Sequence, residues 1–84
     1  MVRLVYLARL RDAFGTAAES VDLPGNVGNV TALLEWLARR GEPWTHELAP
    51  GRAVRVAVNH DIAGPGTPIR SGDEIALFPP VTGG

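Results

Sequence analysis

Asn29-Val30-Thr31-Ala32-Leu33-Leu34-Glu35-Trp36-Leu37-Ala38-Arg39-Arg40-Gly41 is written as one amphipathic helix. Asn29 can cap the first free backbone amides, and Val30, Leu33, Leu34 and Leu37 recur at helical spacing. Arg39 and Arg40 suit the negative end of the helix dipole, and Gly41 ends the run. A single apolar stripe predicts a helix that lays one face on one layer of sheet. Trp36, on the flank beside Leu33, reads as the edge of that core.

The segments on either side change to a period of two. Upstream, Val2, Leu4, Tyr6 and Ala8 alternate with Arg3, Val5, Leu7 and Arg9, which predicts a strand with its even face in the core. Its odd face would leave Val5 and Leu7 as a small apolar patch between two cations. Leu10 to Gly15 reads as a connection with Gly15 in a turn. Ala18 to Leu23 reads as a second strand, with Val21 and Leu23 on one face, ended by Pro24-Gly25. Downstream, Glu42 to Leu48 suggests a short helical turn pinned by Trp44 and Leu48. Val54, Val56 and Val58 alternate with Arg55 and Ala57 as a strand, Asn59-His60-Asp61 is a turn, and Ile62-Ala63 is a short returning strand. A loop through Gly64 to Pro68 and a turn at Ser71 to Glu74 precede the last strand, Ile75 to Phe78, which Pro79-Pro80 stops. The predicted fold is α+β, a mixed sheet of about five strands packed on one main helix, in the order of the β-grasp (ubiquitin-like) plan. Residues 1–80 are expected to form that domain and residues 81–84 a flexible Gly-Gly tail.

Composition narrows the chemistry. The 84 residues carry a net charge of −1, and all eight cations are arginine, set among nine carboxylates. Scattered charge of this kind lacks the clustered basic patch that nucleic acid or an anionic membrane demands, so protein partners are expected. With no cysteine there is no disulfide, no side-chain thiol nucleophile and no sulfur-ligated metal. The first residues lack the pattern of a signal peptide and no stretch approaches a membrane span, so a cytoplasmic location is expected.

Most constellations reduce to ordinary structure. His46 and His60 lie in different elements without metal-ligand spacing, so no metal site is expected. Ser20, Ser71, His60 and Asp61 supply the letters of a hydrolytic triad but no nucleophile elbow surrounds either serine. In Gly64-Pro65-Gly66 the prolines remove the amides a phosphate cradle needs, and Asp73-Glu74 reads as a solvated turn pair. What remains is the carboxyl end. Two prolines fix φ and hold the backbone extended, and the four residues beyond them span at most roughly 14 Å. Neither terminal glycine has a Cβ, so the tip is slender enough for a narrow partner channel. The main-chain carboxylate of Gly84 is then the one reactive group presented on a stalk. A carboxylate is a poor electrophile and needs activation, most simply as an acyl-adenylate made at a partner's ATP site.

The run Gly72-Asp73-Glu74-Ile75-Ala76-Leu77-Phe78-Pro79-Pro80-Val81-Thr82-Gly83-Gly84, with Ala57-Val58-Asn59 and Phe14-Gly15 upstream, resembles the small, sulfur-carrier subunits of molybdopterin synthase over essentially the whole chain. The resemblance implies a β-grasp fold and a mechanism. An E1-like enzyme would adenylate Gly84 with ATP, and a sulfur-delivery enzyme would convert it to a thiocarboxylate. The tail, Pro79, Pro80, Val81, Thr82 and Gly83, would then enter the large synthase subunit and pass sulfur to cyclic pyranopterin monophosphate (precursor Z), building the molybdopterin dithiolene. It also implies a heterotetramer, an interface through Leu7, Ile62 and Phe78, and no cofactor bound by the carrier itself. The strand pattern independently turns Leu7 and Phe78 outward. Two alternatives stay open: a sulfur carrier for thiamine or amino-acid biosynthesis, and a ubiquitin-like modifier.

Overall fold

β1 (Val2–Tyr6), α1 (Arg9–Phe14), β2 (Ala18–Val21), α2 (Val30–Ala38), α3 (Trp44–Glu47), β3 (Arg55–Val58), β4 (Asp61–Ala63) and β5 (Glu74–Phe78) follow one another along the chain. The computed structural model describes residues 1–49 and 51–80. The strands form one mixed sheet in the order β2-β1-β5-β3-β4. β5 lies at its centre, parallel to β1 and antiparallel to β3, while β1–β2 and β3–β4 are antiparallel pairs. This is the β-grasp arrangement: a first hairpin, a crossover helix, and a last strand that returns to the middle of the sheet.

The even face of β1 enters the core as the alternation requires. Leu4 and Tyr6 are fully buried with Leu10, Leu33, Leu37, Ile75 and Leu77, and Val2, Val30, Val56 and Ile69 complete the cluster. Burial of each large side chain is worth about 1.5–3 kcal/mol, which is how so short a chain holds a fold without covalent staples. α2 begins where expected. The Asn29 side chain accepts from the Ala32 amide at 2.9 Å, satisfying one of the free donors of the first turn.

The connection expected at Leu10 to Gly15 is instead a helix, α1. Leu10 plugs the core, Phe14 packs against it one turn later, and Gly15 closes the helix in the left-handed region (φ 72°), its amide bonded to the Arg11 carbonyl at 3.0 Å. Leu10, Ala13 and Phe14 stand at helical spacing, but little more than a single turn is too short for that spacing to specify a helix on its own, and tertiary burial stabilises it. The same helix removes Ala8 and Arg9 from the β1 alternation. Ala8 is exposed at φ 53°, and Arg9 starts α1. β2 stops at Val21, two residues before the expected end, with Leu23 packing on the core from outside the ladder. The β3–β4 turn is two residues, Asn59 and His60, both at positive φ (50° and 74°); Asp61 already belongs to β4. Trp44 and Leu48 do pin α3 to the core.

Candidate interaction face and tail root

The helices occupy one face of the sheet; the other is uncovered, and its composition follows from the registers. Ala18 pairs with Val5, Val5 with Ala76, Ala76 with Ala57 and Ala57 with Ile62. One row of apolar residues therefore crosses all five strands on the outer face. An uncovered sheet face ordinarily alternates to polar residues, as the next row toward the far end does, where Arg3 lies between Ser20 and Glu74. The small alanines keep the centre of the row flat, and Ile62 stands at its edge, 67% exposed.

Leu7 and Phe78 extend this face toward the tail. Leu7 follows β1 two residues beyond Val5, donates its amide to the Leu77 carbonyl at 3.1 Å, and is 44% exposed. Phe78 lies two residues beyond Ala76 with Arg55 as its cross-strand partner, and is half-buried. Leu7, Ile62 and Phe78, which come from three distant parts of the sequence, thus share one face. Directly after Phe78, Pro79 and Pro80 leave the sheet. Pro80 lines an apolar groove of about 600 Å³ with Leu34, Val54 and Ala63 on one side, and both prolines line a second cleft with Arg9 and Arg52. Val81, Thr82, Gly83 and Gly84, assigned above to insertion and chemistry, lie outside the described residues.

Two polar networks hold this platform. Tyr6 Oη donates to Glu19 Oε2 at 2.7 Å, and Arg40 grips both Glu19 oxygens at 2.9 and 3.2 Å while its guanidinium lies over Trp36 and Trp44, at 5.1 and 4.7 Å from the ring centres. Burial, reinforced by the Glu19 carboxylate, pushes the Tyr6 phenol up from its ordinary value. Burial also pushes Glu19 up, but the bonds from Arg40 and Tyr6 together overcome it and hold the carboxyl below the usual range. Phe14 stacks on Trp44 at 3.7 Å and meets Tyr6 edge-on at 5.0 Å. At the far end of the sheet the Asn59 side chain donates to Asp73 at 2.9 Å and accepts from the Glu74 amide at 3.0 Å. The backbone amide of Arg70 and then Asn59 lower the Asp73 carboxyl. Asn59 therefore ties the β3–β4 turn to the turn that aims β5.

Sequence reasoning missed Ala18, Ala57 and Ala76 as members of the apolar row, because parity tells which residues share a face but not which strands are neighbours. It also missed Glu47. This carboxylate is almost completely buried and takes Arg9 at 3.3 Å and Arg52 at 3.1 Å on the same oxygen.

A profile of the ThiS family matches residues 4–84. The chain belongs to the ThiS family. Among curated relatives, the molybdopterin synthase sulfur carrier subunit of Escherichia coli is 36% identical over 86 residues, and its Haemophilus influenzae counterpart 33% over 84, each match covering all of both chains. Among solved structures, the putative molybdopterin converting factor subunit 1 of Pyrococcus furiosus superposes with a TM-score of 0.78 at 29% identity, covering 95% of this chain and 97% of that one. Small archaeal modifier protein 1 of Haloferax volcanii reaches 0.71 at 27%, over 95% and 97%. A complex of subunits 1 and 2 of the Helicobacter pylori molybdopterin-converting factor shares the fold at 0.65 and 21%, over 99% and 97%.

Proposed function

We propose that the chain is the sulfur-carrier subunit of molybdopterin synthase and acts in the cytoplasm. The observation that carries this reading is the continuity between an uncovered apolar face and the root of a Gly-Gly tail: Leu7 and Phe78 lie on that face, and Pro79-Pro80 follow immediately. Such a body is built for recognition, and it leaves chemistry to the chain end and to partners. The full-length relatives named as molybdopterin synthase sulfur carriers support the choice of pathway.

In this mechanism the E1-like enzyme joins the Gly84 carboxylate to the adenylyl group of ATP, releasing pyrophosphate. Sulfur delivered at the sulfide level then attacks the acyl carbon, its C–S bond replacing the C–O bond to AMP, which leaves; the product is a thiocarboxylate, a softer and better nucleophile than the parent carboxylate. Leu7, Ile62 and Phe78 bind the large synthase subunit, and the tail carries the thiocarboxylate to cyclic pyranopterin monophosphate (precursor Z). Two loaded carriers supply the two dithiolene sulfurs. The carrier binds no cofactor itself and is an enzyme only as part of the synthase. The similarity to an archaeal modifier protein keeps a second reading in play, in which Gly84 is joined to the amine of a target protein.

The test is reconstitution. Thiocarboxylated chain and the large synthase subunit should convert precursor Z to molybdopterin, and a chain lacking Gly84 should give none while melting at the wild-type temperature. Product from the truncated chain, or formation of protein conjugates instead of the pterin product, would refute the carrier assignment.

A further inference from the structure

The root of the tail is ringed by arginines. Arg9 and Arg52 line the cleft that Pro79 and Pro80 close, and Arg55 lines the groove on the other side of Pro80 and pairs across the ladder with Phe78. The three come from three different elements: the start of α1, the loop after α3 and the first residue of β3. The carboxylate paired with them is Glu47, buried beneath Arg9 and Arg52, and among the described residues no carboxylate forms an ion pair with Arg55. Three cations against one anion leave this end net positive in a chain whose overall charge is −1. The opposite end of β5 carries Asp61, Asp73 and Glu74 together with Arg3 and Arg70, so the positive excess is confined to the end that leads into the tail.

The geometry points to a basic collar that docks on carboxylates at the mouth of the channel that receives the tail in the large synthase subunit. This inference rests on the carrier reading above. Carboxylate side chains of the partner protein, rather than a phosphate of its bound reagent, are the ligands because of reach. Four residues drawn out into a channel reach roughly 14 Å beyond Pro80, farther than an arginine side chain extends, so with the tail inserted a collar at the root would meet the channel's rim. Guanidinium forks match carboxylates in a two-pronged geometry, and Glu47 holds two of them in place. The collar is continuous with the Leu7–Phe78 patch, so one docking event covers both. Rim charges act chiefly on encounter, steering the tail toward its channel, and contribute less to the lifetime of the complex.

Association of the full chain with the large synthase subunit, followed by stopped flow from low to physiological salt, tests the collar. Arg55→Glu should slow association about tenfold at low salt and flatten its salt dependence, with little change in dissociation. Glu47→Gln keeps the hydrogen-bond acceptor beneath Arg9 and Arg52 but removes its charge, and should speed association several-fold and steepen the salt dependence. A misfolded variant cannot produce that gain. Glu74→Gln makes the same charge change at the far end of β5 and should alter the rate less than about twofold at physiological salt, where the screening length is about 8 Å. Wild-type rates for Arg55→Glu, or no gain for Glu47→Gln, would overturn the collar and leave the carrier reading intact if Ile62→Ala still weakens binding. Failure of the wild-type chain to bind the large subunit would remove both.

Discussion

Ile62→Ala separates folding from recognition more cleanly than any other change on the outer face. The side chain is 67% exposed at the end of the apolar row, on the edge strand β4, so its truncation removes little area that folding buried. The expected stability cost is under about 0.5 kcal/mol, a drop in Tm of less than about 4 °C for a domain of this size. In a complex that covers the row, the same truncation removes three newly buried carbons. At about 0.8 kcal/mol for each, binding should weaken by about 2 kcal/mol, roughly 30-fold in Kd. Val58→Ala is the complementary change. Val58 packs on the core, so its loss should lower Tm while leaving the affinity of the folded protein unchanged. Titration calorimetry against the large synthase subunit, paired with thermal melts of each variant, reads both quantities. An Ile62→Ala affinity within about twofold of wild type would refute the assignment of this face as the docking surface.

Tyr6→Phe removes a charge-assisted hydrogen bond of 2.7 Å from a fully buried side chain, and should cost about 2 kcal/mol, seen as a fall in the denaturant midpoint; an unchanged midpoint would show that Glu19 and Arg40 suffice without it. Acid should unfold the domain in part through Glu19. Its folded pKa is lowered, so its contribution is complete above the ordinary carboxylate value of about 4.3 and disappears as pH falls through the folded value, and Glu19→Gln should flatten that part of the stability profile. Asp73 should act in the same direction. His60→Gly should raise stability by about 0.5–1 kcal/mol, since glycine takes a φ of 74° without the strain a Cβ imposes; a lower Tm would mean that the imidazole makes a compensating contact.

The β-grasp plan was legible because its long elements carry clear periods. Asn29 to Gly41 specified α2 and its cap, and the alternations at Val2–Tyr6, Arg55–Val58 and the last strand specified which side chains enter the core. α1 was not legible, since three apolar residues and a glycine in a segment of little more than one turn fit a connection equally well until Leu10 is seen to be buried in the same core as Tyr6. Ile69 was missed for a related reason: it enters the core from a loop, held by its amide bond to the Gly28 carbonyl at 3.0 Å. At the candidate site, strand parity alone turned Leu7 and Phe78 outward. Placing Ile62 beside them required the pairing of Ala57 with both Ala76 and Ile62, which depends on β5 returning between β1 and β3. The arginine collar was hidden more completely. Arg9 appeared to belong to a strand face, and nothing local to Arg52 or Glu47 shows that they meet beneath the tail root.

With no cysteine, a chain that carries sulfur for transfer has to hold it on its main-chain end. Intact mass spectrometry of the protein purified from cells with a working activating enzyme, and from cells lacking it, reads that out. A species heavier by the difference between sulfur and oxygen, with fragment ions placing the added mass on Gly84, is expected in the first preparation and not in the second. A chain that keeps its unmodified carboxylate in both, or that gains the sulfur at any other residue, would contradict that expectation.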